Sequence, residues 1–514
     1  KERHMEKFKK ICLKSIDILA AAVFALIFLL VFFTPGKIIF ACKRLLPMKN
    51  TALLLIFLIF MIVIKLAFEN KHLKKINFDK IAGFIFIFSF FLSLYISYNI
   101  FFETGWDSGS AIIPAARFLA AGDKSILLAD YFSHYPNNSL LILIYSYILK
   151  FNGNFGIFNA DMQLMSIVFI NVLISSLACI MTYKISKKLF DNRAAFFIYL
   201  QTIFLVNFSG WNVICYSDSF SLIFPVLIAY IYICSSFKPL AKYMLICITG
   251  CFGYMIKPQN IIIVIAIIII SAICSVRKKN IYKIIKISVP CAAASAAVFI
   301  TMALVFAHAG FQNDKNKKIG MTHFYMMGLN QSTMGGYNSE DAEASFACKN
   351  QNERKQFNIK TSKERLKNMG GAGYAKLVFK KTLTNYSDGL FAWGMEGQFF
   401  MKTTENKNLI AAPYLKNVYY TNGSLFNRYA LFEQFIWTGI IALIFLFLLL
   451  RLKKREENRY ISVLILAVLG LTLFQILFEA RARYLYSYVP IYAILACGAV
   501  KAVLDGKFKR RIKK

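Results

Sequence analysis

The acidic residue Asp107 belongs to the string FETGWDSGS, which directly follows a long apolar segment with an aromatic end. A carboxylate in this place, next to Trp106 and two glycines, would lie at a membrane surface. A partly desolvated aspartate there can act as a general base or bind a cation. The alternative is that Asp107 or Ser108 caps a helix over 109–121, and the spacing alone favours this cap.

A second acid, Asp218, opens a later apolar run in the string WNVICYSDSFSLIFP. Acidic residues in or near membrane segments are candidates for function, so Asp218 is predicted to face the same outer cavity as Asp107. A helix N-cap is again the structural alternative. The two carboxylates are the candidate catalytic residues. Together they could also bind a divalent cation, Mg²⁺ or Mn²⁺, and the sequence leaves the use of a metal open.

Three cations form the candidate phosphate-binding set. Lys257 lies at a helix end in YMIKPQN, and Arg481 and Arg483 lie in FEARARYLYSYVP, between two apolar runs. Arginine binds phosphate well because its planar guanidinium reaches two oxygens at once. For Lys257 the alternative is snorkelling to the membrane surface. For the connector with the two arginines, a functional role is favoured over a structural one. Membrane topology alone does not explain three charged residues, Glu479, Arg481 and Arg483, in so short a turn.

Further polar residues that could contact a substrate lie in two loops. His134 in the string YFSHYPNN could carry a proton, although a lone histidine is more often an interfacial hydrogen-bond donor. The string FAWGMEGQFF holds Glu396 between two glycines, which suggests a sugar contact or, equally, a folded surface loop. The candidate substrate-binding residues are Trp106, His134, Tyr135, Asn138, Glu396, Glu479 and Tyr484.

The composition places all of these residues in an integral membrane protein. Of 514 residues, 58% are hydrophobic and 17% are charged, and the mean hydropathy is +0.54. Soluble domains carry about 25% charged residues, so a soluble enzyme, a disordered protein and a fibrous protein are excluded. A membrane-spanning helix needs about 20 apolar residues, and runs of this kind predict twelve crossings. They lie at 16–33, 51–68, 81–101, 162–183, 194–208, 218–236, 240–256, 260–275, 284–307, 428–450, 460–478 and 484–503.

The distribution of charge predicts which side of the membrane each connector occupies. The net charge of +35 comes mainly from short basic runs between apolar segments. This pattern is typical of cytoplasmic loops, so a nucleic-acid partner is not expected. Both termini are basic and are predicted to be cytoplasmic, which places the candidate site on the outer face. The run 139–150 is too short to span and is predicted to be re-entrant or interfacial. The connector with Lys37, Lys43, Arg44 and Lys49 disagrees with this scheme.

The predicted topology divides the chain into five parts. Most of the eleven cysteines lie in apolar runs, and no GxxxxGK[ST] motif is present, so neither a zinc site nor a nucleotide cofactor is expected. The parts are 1–101 with three membrane helices, 102–161 as a first external loop with juxtamembrane helices, 162–307 with the central membrane helices, 308–427 as a large external loop domain, and 428–514 with three membrane helices and a basic cytoplasmic tail.

Taken in order, these strings resemble the GT-C superfamily of membrane glycosyltransferases. The resemblance is nearest to bacterial proteins similar to protein O-mannosyltransferases and the lipid A aminoarabinose transferase, the glycosyltransferase family 39-like proteins. It is carried by Trp106-Asp107, Tyr135 to Asn138, Tyr216 to Asp218, Lys257-Pro258, and Glu479 with Arg481, Arg483, Tyr484 and Pro490. Two features depart from the family: two helices precede the acidic loop instead of one, and Tyr-Pro-Asn-Asn replaces the commoner His-Pro-Pro-Leu. The subfamily and the role of 139–150 therefore stay open.

The resemblance implies an all-α bundle of the GT-C type, with about 12–13 transmembrane helices, outer juxtamembrane helices and one α-rich or mixed external domain. It implies a polyprenyl-phosphate-linked sugar donor and transfer, with inversion, to an envelope glycopolymer or protein on the outer face of the cell membrane. Asp107 would then deprotonate the acceptor hydroxyl. Lys257 and Arg481 or Arg483 would hold the departing lipid phosphate.

Other functions stay open beside this one. Twelve crossings with both ends inside are also common in secondary transporters, but transporter sites lie near mid-membrane, whereas the charged residues here cluster at one face. A polysaccharide polymerase or ligase would use polyprenyl-linked sugars too, and the arginine connector suits it. An envelope scaffold is the alternative that the residues favour least.

Overall fold

The chain folds as an all-α polytopic membrane protein. The computed structural model describes residues 2–34, 48–69, 76–275, 278–312, 314–398, 402–403, 411–454 and 458–506. The predicted connector with Lys37, Lys43 and Arg44 and most of the basic C-terminal tail lie outside these residues. The helices are α1 (Glu2–Phe33), α2 (Asn50–Glu69), α3 (Phe78–Ile100), α4 (Ile113–Ala120), α5 (Asp130–His134), α6 (Ser139–Asn154), α7 (Ala160–Leu189), α8 (Asn192–Thr202), α9 (Ser217–Phe220), α10 (Ile223–Cys234), α11 (Pro239–Ile256), α12 (Ile262–Cys274), α13 (Lys278–Ala309), α14 (Met321–Gly328), α15 (Ser339–Phe346), α16 (Gln351–Tyr386), α17 (Ala411–Tyr419), α18 (Phe426–Lys454), α19 (Arg459–Leu477), α20 (Arg483–Tyr486) and α21 (Val489–Leu504).

Within the described ranges, nine helical segments are long and apolar enough to cross a membrane. They are α1, α2, α3, α7, α9 with α10, α11, α13, α18 and α19. The other three predicted crossings correspond to α8, α12 and α21, which are shorter. With 16 residues, α21 is about 24 Å long, against about 30 Å for the hydrocarbon core. Proline within the first two positions of α21 explains its late start, because proline is tolerated there and not in a helix interior.

The outer helices leave their apolar side chains uncovered by protein. Only 17% of α2 and 6% of the apolar window of α13 are buried. Phe84 of α3 is 70% exposed and Leu55 of α2 is 63% exposed. In contrast, α21 is buried along almost its whole length. Lipid tails must therefore cover the periphery, and the short helix α21 forms the centre of the bundle.

One end of the bundle is held together by ion pairs between helices. Arg451 of α18 binds both carboxylate oxygens of Asp17 in α1 at 2.9 Å. Lys187 of α7 binds Asp79 of α3 at 2.6 Å. The ends of α7 and α18 lie near one another: the ring of Phe190, which directly follows α7, is 5.7 Å from the ring of Phe447, two turns before the end of α18. We call this end the basic end. It also carries Lys14, Lys184, Lys188 and Lys453.

The opposite end, which we call the site end, is covered by the described parts of 102–161 and 308–427, the two segments that the sequence predicts to be external, and we call the second of them the external loop. After α3 the chain forms the two-residue strand β1 (Phe102–Glu103), which pairs antiparallel with β2 (Lys402–Thr403) of the long loop. The long loop itself is α-rich and holds α14 to α17. Its longest helix, α16, is interrupted at Gly370, where φ is 59°. The strand pair thus joins the first external segment to the second, next to the residues of interest.

The helix α6 contains the predicted short run 139–150 and lies along the site end. It begins next to Asn138, whose amide donates a hydrogen bond to the Tyr131 hydroxyl at 2.9 Å. Near its other end, Asn152 donates to Ser166 of α7, close to the start of that helix, at 2.6 Å. Because both ends contact elements of the site end, α6 does not run from one end of the bundle to the other.

The external loop is fastened to the membrane helices by the buried Lys381 of α16. Its ammonium donates to the carbonyl oxygens of Gly328 at 2.9 Å, Ile476 at 2.7 Å and Phe478 at 2.6 Å. The substitution Lys381→Met would leave these three acceptors unsatisfied. We expect it to lower the free energy of unfolding by about 1–3 kcal/mol, measured as a lower thermal midpoint and faster proteolysis of the loop. Lys376→Met, an exposed change on the same helix, should alter neither, and an equal effect of both variants would contradict this anchoring role.

Candidate active site

Four separate connectors converge at the site end and bring the predicted polar residues together. Asp107 follows α3, Asp218 lies in α9, Lys257 lies between α11 and α12, and the two arginines lie between α19 and α21. The short helices α9 and α20 contact one another, which brings the acidic and arginine connectors side by side. Because α10 and α11 are antiparallel, the start of the segment α9 with α10, near Asp218, lies at the same membrane end as the end of α11, next to Lys257. The predicted convergence is therefore a direct result of the helix order.

Asp218 and Lys257 form a buried ion pair. Asp218 is 1% exposed and Lys257 is 6% exposed, and the ammonium contacts the carboxylate oxygen Oδ1 of Asp218. It also lies 4.8 Å from the ring centroid of Tyr484. Burial lowers the pKa of Lys257, and Asp218 opposes this shift by stabilising the charged form. The lysine thus points into protein rather than snorkelling, and Asp218 makes no side-chain cap on α9, so both structural alternatives are wrong.

The two arginines are held by three carboxylates. Arg481 binds Glu479 at 2.6 Å and Glu396 at 2.9 Å. Arg483 binds Glu396 at 2.9 Å and lies 3.9 Å from Asp218. Three cations, counting the lysine above, therefore face three carboxylates, and the cluster is close to neutral before any ligand binds.

The protonation state of Glu479 follows from these contacts. Burial would raise its pKa, but Arg481, Arg483 and a hydrogen bond from the Tyr484 hydroxyl outweigh burial and hold the pKa of Glu479 below its usual value. The Tyr484 hydroxyl donates at 3.0 Å. Glu479 is therefore charged at neutral pH, and it fixes the orientation of Arg481. The predicted substrate-binding residues Glu479 and Tyr484 thus contact the cation cluster directly.

Asp107 lies beside this cluster, across an aromatic pair. It stands immediately before the π-helical turn Ser108–Ile112 and makes no side-chain capping bond. The Ser108 hydroxyl donates to the Cys215 carbonyl instead, so the cap interpretation is wrong for both residues. Its Oδ2 accepts a hydrogen bond from the Tyr216 hydroxyl at 3.3 Å. The rings of Trp106 and Tyr216 meet edge to face at 4.8 Å. The Arg483 guanidinium lies 4.9 Å from the Trp106 ring centroid.

Two further tyrosines, Tyr131 and Tyr135, lie near the half-buried carboxylate of Asp107. Tyr131 lies close enough for the charge of Asp107 to raise its pKa, although burial is the larger cause. Burial likewise raises the pKa of Tyr135, and Asp107 adds to the effect. Both phenols therefore stay protonated at neutral pH. Within the described part of the chain, the buried indole N–H of Trp106 has no acceptor, so a ligand can use it.

Sequence reasoning missed two of these tyrosines as site residues. Tyr131 precedes the predicted Tyr135 by four residues, one helical turn, and this spacing was the available signal. Tyr216 stands two residues before Asp218 in the string that was singled out for its acid. In both places the charged or turn-forming neighbour drew attention, whereas the hydroxyl that contacts Asp107 lies on an aromatic residue.

His134 and the acids Glu396 and Asp341 of the external loop make different contacts, and of these three residues only Glu396 reaches the cation cluster. The ring of His134 stacks on Phe346 of the external loop at 4.4 Å, and burial lowers its pKa. It therefore packs on the loop rather than on the cation cluster. Glu396, carried by the π-helical turn Trp393–Gly397, reaches both arginines. Asp341, another acid of the loop, is bound to Arg365 at 2.6 Å instead.

The arrangement offers little to a divalent cation. Among the described residues, no group of three or more His, Cys, Asp or Glu side chains is placed to hold a metal ion. Asp218 is committed to Lys257, so a metal between Asp107 and Asp218 would have to compete with an ammonium group. The predicted metal stays a prediction, and the residues present do not fit it in this arrangement.

Comparisons with known proteins show the family of the chain, and the description of that family names no activity. A family model described as "Conserved hypothetical integral membrane protein" matches residues 8–503. No curated protein matches the chain. Among solved structures, the oligosaccharyltransferase of Archaeoglobus fulgidus, crystallised with a tethered acceptor peptide, is similar at 14% identity and a TM-score of 0.38. The match covers 84% of this chain and 51% of that enzyme, so the chain spans about half of its length. The assignment of function rests on the geometry of the site.

Proposed function

We propose that this chain, which belongs to the family of conserved hypothetical integral membrane proteins, is a glycosyltransferase of the GT-C type. It moves a sugar from a polyprenyl-phosphate-linked donor to a hydroxyl of an envelope glycopolymer or protein. The site end faces the outside of the cell membrane and the basic end faces the cytoplasm, as the distribution of lysine and arginine favours.

One observation carries this proposal: a half-buried carboxylate lies at the same membrane end as the buried Lys257 and the half-buried Arg481 and Arg483, and one aromatic pair separates the acid from these cations. Asp107 contacts Tyr216, and Arg483 lies over the rings of Trp106 and Tyr216. Glycosyl transfer to a hydroxyl needs a base for the acceptor and an anion-binding group for the departing phosphate, and these two groups of residues could supply them. The site also lies where a lipid-linked substrate reaches it, at the end of apolar helices.

The chemical step uses Asp107 as the general base. Its carboxylate takes the proton of the acceptor hydroxyl as the hydroxyl oxygen forms a bond to the anomeric carbon of the sugar. The bond from that carbon to the phosphate oxygen breaks, and its electron pair leaves with the polyprenyl phosphate. A single displacement of this kind inverts the anomeric carbon. Tyr216 holds Asp107 in place through its hydroxyl, and the unpaired Trp106 N–H offers a contact to the sugar or acceptor.

Charge develops on the departing phosphate, and Arg481, Arg483 and Lys257 stabilise it. Fixed cations in a site shielded from water stabilise such charge strongly. Because three carboxylates already neutralise these cations, the phosphate must take the place of at least one of them. Glu396 is the candidate, since it comes from the external loop and bridges both arginines. Donor binding is thus coupled to a movement of the Trp393–Gly397 turn.

The substitution Glu396→Gln tests this competition. We expect it to tighten binding of the donor by about three- to tenfold, or roughly 1 kcal/mol, because an amide competes less well than a carboxylate for the arginines. The measurement is the Kd of a polyprenyl-phosphate-linked sugar in nanodiscs. Glu340→Gln, an exposed acid of the same loop, should leave this Kd unchanged. Weaker donor binding in Glu396→Gln would show that the carboxylate positions the arginines instead of competing with the phosphate.

The proposed function itself is tested with purified protein in nanodiscs and a panel of polyprenyl-phosphate-linked sugars. We expect at least one donor to bind, and to release free polyprenyl phosphate by slow hydrolysis or by transfer to an added acceptor. Binding without release, under all acceptors, would contradict transfer. No binding of any such lipid would favour a transporter, and uptake by proteoliposomes would then be the next measurement.

A further inference from the structure

A cavity of about 630 Å³ lies at the basic end, far from the candidate active site. It is formed by three membrane helices: the first three turns of α3, the last three turns of α7 and the end of α10. Both α3 and α10 pack against α7, and the cavity lies between α3 and α10, with α7 as its third wall. Binding sites for small ligands have volumes of about 300–1,000 Å³, so its size suits a headgroup or a small molecule.

The polar part of the cavity is basic. Lys184, Lys187 and Lys188 line it together with a single acid, Asp79. Lys187 donates to both oxygens of Asp79, at 2.7 and 2.6 Å, so this lysine is already neutralised. Within the part of the chain that the structure describes, Lys184 and Lys188 make no ion pair. Two exposed cations therefore face the cavity without a carboxylate partner.

The acid of the cavity has a structural role that leaves the other lysines available. The Tyr183 hydroxyl donates to Asp79 at 2.9 Å. With Lys187, this contact joins the end of α7 to the start of α3. The contacts of Asp79 are thus made to Lys187 and Tyr183, and it forms no ion pair with Lys184 or Lys188 that would compete with an incoming anion. The net charge of the four groups, three lysines and one aspartate, is +2.

The rest of the wall is apolar and reaches the lipid-facing surface. Ala82, Gly83, Phe86 and Ile180 line it, with Tyr230 on the far side. Gly83 opens the wall, because a Cβ atom built on it would meet no atom within 4 Å. Its neighbours along α3 are exposed to the surroundings, with Phe84 at 70% and Ile87 at 57%. A ligand in this cavity therefore combines an anionic group with a hydrocarbon part that continues into the bilayer.

We propose that this cavity binds the phosphate-bearing headgroup of an anionic membrane lipid. Lys184 and Lys188 contact the phosphate, and the acyl chains leave past Gly83 along the exposed face of α3. Basic pockets between membrane helices at the cytoplasmic face bind headgroups of this kind, because the anionic leaflet and the lysines attract one another. The site is independent of glycosyl transfer, since it lies at the opposite end of the bundle from Asp107 and Arg483.

Native mass spectrometry of the full chain, in mixed micelles of phosphatidylglycerol and phosphatidylcholine, tests the proposal. We expect the wild-type protein to retain more phosphatidylglycerol than phosphatidylcholine. In the double variant Lys184→Ala/Lys188→Ala, the ratio of retained phosphatidylglycerol to phosphatidylcholine should fall by about tenfold or more. The control variant Lys14→Ala/Lys453→Ala removes two exposed lysines of the same end that lie outside the cavity, and it should keep the wild-type preference for phosphatidylglycerol. Equal retention of the two lipids by the wild type, or an equal loss in both double variants, would overturn the proposal.

A second variant separates the cavity from a general effect of charge. Gly83→Phe fills the open wall without removing a cation, and we expect it to displace phosphatidylglycerol while the helix stays folded. Unchanged retention in this variant would overturn the location. Inorganic phosphate and glycerol phosphate are then added as competitors, and we expect neither to displace the lipid at equal concentration. Displacement by either anion would show a site for a soluble anion instead of a lipid.

Discussion

Replacing Asp107 with asparagine is expected to lower the rate of sugar transfer by about 10²–10⁴-fold, the contribution typical of a general base. Asparagine has nearly the same shape as aspartate and can still accept the hydrogen bond from Tyr216, which is 3.3 Å away. It cannot take a proton from the acceptor hydroxyl. The Kd of the donor should change by no more than about twofold, because the proposed function assigns the phosphate to the cations on the other side of Trp106.

The measurement is single-turnover transfer from a lipid-linked donor, with donor binding determined in parallel. Asp123→Asn is the matched control, because this residue is an exposed aspartate of the same external segment. Wild-type activity in the variant would contradict the assignment of the base.

Most of the residues that meet at the candidate site could be predicted because they stand at the ends of apolar runs. A charged residue that interrupts an apolar pattern is visible in sequence, and helix order decides at which membrane end it lies. Asp218 and Lys257 were each predicted in this way, from separate strings. Their pairing was not, although it follows from the hairpin of α10 and α11, which brings the start of one segment next to the end of the other.

Other features depend on contacts that a single sequence does not reveal. Glu396 reaches Arg481 and Arg483 from a loop about ninety residues earlier in the chain, and no local pattern predicts this approach. Tyr131 and Tyr216 look like ordinary interfacial aromatics until Asp107 is placed between them. The lengths of α8, α12 and α21 were overestimated for a related reason: apolar composition continues through short turns that adjoin the helix. Examples are the π-helical turn Ile203–Asn207 after α8 and Tyr484 to Tyr488 before α21.

The pair of Asp218 and Lys257 leads to the second large expected effect. Lys257→Met is expected to cost about 3–5 kcal/mol of stability, because it leaves a buried carboxylate without its cation. Asp218→Asn should cost a similar amount through the lysine that it leaves behind. The double variant Asp218→Asn/Lys257→Met removes both charges together, so it should recover most of the stability that either single change loses. Thermal midpoints of the four proteins in one detergent measure this coupling.

Donor binding separates the structural role of this pair from its proposed role in catalysis. If Lys257 holds the donor phosphate, the double variant should be stable and yet bind donor at least about tenfold more weakly, because a charge-assisted contact of about 1.5–3 kcal/mol is missing. The exposed pair Lys317 and Asp130, at 2.6 Å with side chains 41% and 64% exposed, is the control. Its removal by Lys317→Met/Asp130→Asn should change the stability by less than about 1 kcal/mol and leave donor binding unchanged. Wild-type donor affinity in the stable double variant would leave Lys257 with a structural role only, and would assign the phosphate to the arginines.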